Sequence, residues 1–270
     1  MPGLQPTVPE GAKLDARNVY LARRDQALSA PRFLDREVHV NGGVFSFDNP
    51  ILRGEGALRL LNVGDLAPAD LTLRYGWLEG SGIVPSAPGK TIPPSVRISP
   101  GCSLSLLDSR VENMPSTALA FMGERLRIED CWFGPVGLGS LKGDHLEAVF
   151  VHCGDALIAR TAFDLRVDPA KIRGSWTGVL FFSGRAGPIR ARVDGCRIEG
   201  VKACAMPYAI QVTGPNPVEL TIANTAIEAG ASGKYIGLTP GLSPLRVIDG
   251  GGNTDLATGQ PINLTWSLVP

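Results

Sequence analysis

The chain has 270 residues, 44% of them hydrophobic, and its 26 basic side chains balance 26 acidic ones. That is enough apolar material for one core in an elongated all-β domain, and a balanced charge removes the usual electrostatic ground for binding a nucleic-acid backbone or an anionic membrane surface. Five cysteines, an odd number with no Cys-x-x-Cys pair, read as reduced packing residues and not as disulfides or zinc ligands.

In chain order, residues 1–35 are rich in proline and charge and show no repeat, so they read as an N-terminal arm or cap. No apolar run follows a basic start, which predicts synthesis in the cytoplasm without a signal peptide, and no stretch reaches membrane-spanning length. From residue 36 to 254 one pattern returns: an apolar residue, a small residue three on and a large apolar residue five on. The sets are Val40/Gly43/Phe45, Leu73/Gly76/Leu78, Leu106/Ser109/Val111, Ile128/Cys131/Phe133, Ile158/Thr161/Phe163, Val193/Cys196/Ile198 and Ile222/Thr225/Ile227, with Val247/Gly250 as a truncated last member. Their uneven spacing, from 22 to 35 residues, excludes helical repeats of fixed period and suits about eight stacked coils whose loops differ in length. Polar residues inside the pattern, such as Asp108, Asp130, Asn224 and Asp249, predict tight corners between short strands. Residues 255–270 leave the register after Gly250–Gly252 and read as a cap closing the end of the stack.

A second column, Gly123, Gly154, Gly184, Gly214 and Gly241, ends the segments ALAFMG, AVFVHCG, GVLFFSG, AIQVTG and IGLTPG and predicts a recurring bend. Counting back from each glycine, the positions two and four before it (Phe121, Leu119; His152, Phe150; Phe182, Leu180; Val212, Ile210) form the inward face. The alternate positions, which include Val149, Val151, Val179, Phe181 and Leu238, then form an apolar outward face. A strand apolar on both sides is covered on both, so these five residues are expected at an interface.

The segments VRISPGCSLSLLDSRVEN, GDHLEAVFVHCGDALIARTAFD, TGVLFFSGRAGPIRARVDGCRIEG and GGGNTDLATGQPI resemble right-handed parallel β-helix proteins of the pectin-lyase type, including phage-borne and polysaccharide-active members. The resemblance implies an all-β right-handed parallel β-helix. It also implies either a structural or adhesive component of a phage or phage-like particle, such as a tail or capsid spike, or a polysaccharide lyase or glycoside hydrolase acting on an acidic polysaccharide. Partners of the first kind are copies of the chain itself, a homotrimer being frequent among related spikes, or other virion subunits, together with host surface polysaccharide; the protein would then reside in a virion or released particle. No cofactor and no metal are expected.

Relatives often carry His-x-Asp-Gly-x-Gln, which aligns here with His145, Leu146, Glu147, Ala148, Val149 and Phe150. The glycine and glutamine are replaced. His145 and Glu147, with Asp144, form the candidate acid/base cluster, one that would abstract a proton beside a uronate carboxylate or protonate a glycosidic oxygen; the same residues also read as a polar loop entering a strand. Glycan binding needs aromatic platforms and hydrogen-bonding side chains, and Trp132, Trp176 and Tyr208, with Arg173 and Arg185, are the candidates, half-buried loop packing being the other reading of the three rings.

Overall fold

The computed structural model describes residues 32–34, 37–54, 59–80, 92–138, 140, 144–168, 170, 172, 174–239 and 243–268, with the side chains of 32–34 and of 267 and 268 not included. The chain winds as a right-handed parallel β-helix of about eight coils, each giving one strand to each of three sheets.

The first sheet has eight strands: Val38–Val40, Leu61–Val63, Val96–Ile98, Leu119–Phe121, Val149–Val151, Leu180–Phe182, Ile210–Val212 and Ile236–Leu238. The second holds the longer strands Gly43–Asp48, Ala69–Arg74, Ser103–Leu107, Arg125–Glu129, Gly154–Ala159, Ile189–Asp194, Val218–Ala223 and Leu245–Asp249. The third contains Arg32–Leu34, Ile51–Arg53, Trp77–Glu79, Arg110–Glu112, Trp132–Phe133, Ala162–Asp164, Arg197–Glu199, Ala226–Ile227 and Thr254–Asp255. Arg32–Leu34 pairs with Ile51–Arg53, so the helix takes in the end of the stretch read as an arm; residues 1–31 lie outside the described residues.

Side chains alternate across each strand, and identical rungs stack from coil to coil. On the third sheet the inward column runs Leu52, Leu78, Val111, Phe133, Phe163, Ile198 and Ile227, with the rings of Phe133 and Phe163 stacked 5.0 Å apart. The repeated set of apolar, small and large apolar residues is the corner from the second sheet into the third. Its first and last members need correction. Phe47 pairs with Leu73 and Leu52 with Leu78, so the first set is Phe47/Pro50/Leu52, while Val40, Gly43 and Phe45 span the corner before it. At the other end Asp249 pairs with Ile222 and Asp255 with Ile227. The apolar columns therefore end in two aspartates.

These corners share one device. Asn49, Tyr75, Asp108, Asp130, Arg160 and Asn224 all adopt positive φ, between 47° and 55°, which turns the chain in a single residue. The small residue that follows forms a ladder: the amide of Gly76 donates to Ser109 Oγ, that of Ser109 to Cys131 Sγ, that of Cys131 to Thr161 Oγ1, that of Cys196 to Thr225 Oγ1, and that of Thr225 to Asn253 Oδ1. Serine, threonine and cysteine interchange there because each offers a small buried acceptor. Burial accordingly pushes the Cys131 thiol up to about 12 and that of Cys196 up to about 11.

The stack closes on Trp266–Leu268, which pairs antiparallel with Leu245–Asp249, and on Leu264, whose amide donates to Asp249 Oδ2. Asp249 also accepts from Gly251 and Asn253, so it replaces an apolar rung with a hydrogen-bonded plug over the last coil.

Candidate functional site

The segment from Asp144 to Glu147 enters the coil that contains Val149–Val151, and His145–Leu146 makes a two-stranded sheet with Ser175–Trp176 of the next loop. His145 is exposed, while Asp144 is 2% exposed and Glu147 wholly buried. Thr117 Oγ1 donates to Glu147 Oε2 at 2.5 Å, and Thr177 Oγ1 donates to Glu147 Oε1 from the following coil. Burial pushes the Glu147 carboxyl above its ordinary range against the opposing pull of both threonines and of His145. Asp144 Oδ1 accepts the amide of Ile92 at 3.0 Å. The three residues of the candidate cluster are therefore divided: His145 faces solvent, and the two carboxylates are occupied inside the wall. A proton donor must reach the glycosidic oxygen, and in this arrangement Glu147 does not.

The outward face predicted for the first sheet also changes. Leu119 pairs with Val149 and Phe121 with Val151, so Val149 and Val151 point inward and are fully buried. Leu238 pairs with inward Val212 and packs against the core. Val179, just before its strand, is likewise fully buried, its carbonyl accepting the amides of both Ala148 and Val149. Of the five proposed interface residues, Phe181 alone lies on the outer face, where it stacks on Phe150 at 4.6 Å. His152, read as inward, joins that outer group with its ring 3.9 Å from Phe150. Burial, and secondarily Arg185, drop the His152 imidazole to about 4. The exchange of faces has a physical origin. Two residues separate Val151 from Gly154, which begins a second-sheet strand, whereas Gly184 and Gly214 lie in corners beyond their strands. Corner glycines therefore do not share a rung, and a slip of one residue exchanges the faces.

The proposed glycan-binding residues lie on different faces. Trp176 is half-buried against the core, its indole N–H enclosed without a hydrogen-bond partner among the described residues. Tyr208 lies against Gly237 on the outer side of the first sheet, where a Cβ at position 237 would come within 2.3 Å of the ring. Arg185 is exposed near His152. Arg173 lies outside the described residues.

Trp132 stands on the outer face of the third sheet, in a place the sequence pattern did not reveal. The outward column there reads Ile51, Trp77, Arg110, Trp132, Ala162, Arg197 and Ala226. The guanidinium of Arg110 lies over the Trp132 ring at 4.6 Å, and that of Arg53 over Trp77 at 5.0 Å. Glu112 orients this group by accepting from the Trp77 indole at 2.8 Å and from Arg110. Beside it, at the positive-φ corner, Tyr75 is 60% exposed and Asp108 and Asp130 occupy successive rungs. Tyr75, Trp77, Asp108, Arg110, Asp130 and Trp132 line a shallow groove of about 490 Å³. Arg160 donates to both oxygens of Asp130 at 2.7 Å and holds that carboxyl below its ordinary range. The shared corner places Tyr75 at positive φ, where its ring projects into solvent. A hydrophobic, small, hydrophobic template cannot see this group, because its members occupy the outward positions that the template leaves free.

No family model, curated protein or solved structure matches the chain.

Proposed function

We propose that this protein is a structural or adhesive β-helix that binds a polysaccharide through the outer face of its third sheet. The observation that carries the reading is the convergence of Tyr75, Trp77 and Trp132 with Arg110 and two aspartates in one open groove. Aromatic faces stack on the C–H face of a sugar, and guanidinium and carboxylate groups bind its hydroxyls. In the groove, Arg160 holds the Asp130 carboxyl below its ordinary range, the wrong direction for a general acid. Among the described residues, the carboxyl whose pKa is raised is Glu147, sealed within the wall. A tail or capsid spike of a phage or phage-like particle, assembled from copies of this chain or with other virion subunits, is the setting that the resemblance adds. The outward Phe150–Phe181 pair supports such packing as an apolar spot on the outer face of the first sheet.

One observation favours the enzymatic alternative. Asp108 and Asp130 stand at the same corner of adjacent coils and line one groove, and a pair of carboxyls is what glycoside hydrolysis requires. Incubating the wild-type protein and Asp108→Asn with acidic polysaccharides separates the readings. Binding with no change in polymer length for either protein supports adhesion, whereas chain shortening by wild type that Asp108→Asn abolishes assigns an enzyme, a lyase if the new ends are unsaturated uronates and a glycoside hydrolase if they are saturated. Trp132→Ala should lower affinity at least tenfold in the same assay; unchanged affinity rejects the groove.

A further inference from the structure

The outer face of the third sheet repeats one arrangement, an arginine and a carboxylate two residues apart or on adjoining strands. Arg53 pairs with Glu79 at 2.6 Å, Arg110 with Glu112 at 2.6 Å, Arg166 with Asp164 at 2.5 Å and Arg197 with Glu199 at 3.0 Å. The first position of the pair is not always arginine, since Trp77 and Ala162 also stand there, but one coil carries no charged residue at either position. At the arginine position stands Trp132, at the carboxylate position Gly134, and on the next strand the rung beside Trp132 is Ala162.

The interruption has a defined shape. The Trp132 ring extends along its strand over Gly134, where an added Cβ would come within 2.2 Å of the ring, so the indole occupies the space of the missing side chain. Arg110 covers one ring face. On the side away from Arg110 the rung next to Trp132 is Ala162, whose side chain is a single methyl, and the rung beyond it is Arg197. Two strand spacings separate Trp132 from Arg197, about 9.6 Å. A ring in van der Waals contact on both faces, at about 3.5–4.0 Å each, spans about 7–8 Å and fits within that gap. Trp77 offers no equivalent space, since Arg53 lies over its ring and Glu112 holds its indole N–H.

We infer that the notch over Ala162, between the indole of Trp132 and the guanidinium of Arg197, is a subsite for one pyranose ring, beside the groove at Tyr75 and sharing Trp132 with it. This rests on the glycan-binding reading above and names where the chain passes. The two ends of the notch are polar: Arg160 stands exposed at the corner before Ala162, and Asp164 follows it by two residues. The preferred sugar is therefore one with an unbroken C–H face for the indole and equatorial hydroxyls at its rim for Arg160 and Asp164.

The test is affinity electrophoresis of the wild-type protein, Ala162→Phe, Ala162→Ser and Trp132→Ala in gels containing hydroxyethylcellulose, dextran, polygalacturonate or alginate, with thermal melting as the check on folding. Phenylalanine suits an outward strand position and fills the notch, so Ala162→Phe should fold and lose at least tenfold in affinity, while Ala162→Ser binds as wild type. Should Ala162→Phe fail to fold, Ala162→Val takes its place with an expected loss of threefold or more. An Ala162→Phe protein that binds like wild type while Trp132→Ala does not overturns the notch and leaves the groove standing. If none of the four polymers retards the wild-type protein, notch and groove fall together.

Discussion

The segment from Asp144 to Glu147 and the groove from Tyr75 to Trp132 treat their polar groups in opposite ways. In the first, Glu147 is drawn into the wall, fastened by Thr117 and Thr177 from the coils on either side, and its carboxyl is pushed upward by burial. In the second, Asp108 and Asp130 stay at the surface, and an arginine holds Asp130 in its ionised form. Buried acid without access favours stability and register; exposed groups beside aromatic rings favour contact. Within a β-helix, a residue's inward or outward place in its coil decides between the two.

That contrast can be broken experimentally at several levels. The largest effect is expected where the groove's own strands face inward. Phe133 follows Trp132 in sequence but is fully buried against Phe163. Phe133→Ala should cost about 3–5 kcal/mol in urea unfolding, against about 1 kcal/mol for Trp132→Ala, which loses mainly a partly exposed ring and its guanidinium contact. Equal costs would remove the distinction between core and contact faces. Glu147→Ala comes next. It leaves two threonine hydroxyls and a cavity, an expected loss of about 2–3 kcal/mol, with polysaccharide affinity unchanged.

A subtler probe uses pH. Because the folded Glu147 pKa lies above its unfolded value, its contribution is complete below the ordinary carboxylate range and fades as pH rises through the raised value. His152 acts in the opposite sense. With a folded pKa near 4, it withdraws stability as pH falls below its ordinary value of about 6.5. Melting temperatures should therefore decline more steeply on the alkaline side for wild type than for Glu147→Gln; identical profiles would mean that Glu147 titrates as it does unfolded. The smallest effect is at Phe181. Phe181→Ser removes an outer-face stack worth about 1 kcal/mol or less, and light scattering will show whether it also lowers the particle mass, as the assembly reading expects.

Much of the fold is legible in the residues themselves. The column of Ser109, Cys131, Thr161, Cys196 and Thr225, each followed two residues later by a large apolar side chain, already marks the corner from second to third sheet. Asp108, Asp130 and Asn224 mark the positive-φ residue of that corner. The first sheet is less legible. Its corners vary in length, so Gly154 falls out of line with Gly184, and the faces of Val149, Phe150, Val151 and His152 are exchanged. Trp132 was identifiable as an aromatic candidate, but nothing local joined it to Tyr75, Trp77 and Arg110, which lie 22 to 57 residues before it in the chain.

What the amino-acid order determines by itself is the winding: apolar alternation and one-residue corners leave each short strand no stable partner except its counterpart in the next coil. Tertiary structure alone decides which distant rungs become neighbours, because loops of unequal length hide the register from any fixed count. Strand pairing sets that register to within a single residue, and so decides that Glu147 is enclosed while Trp132 faces outward.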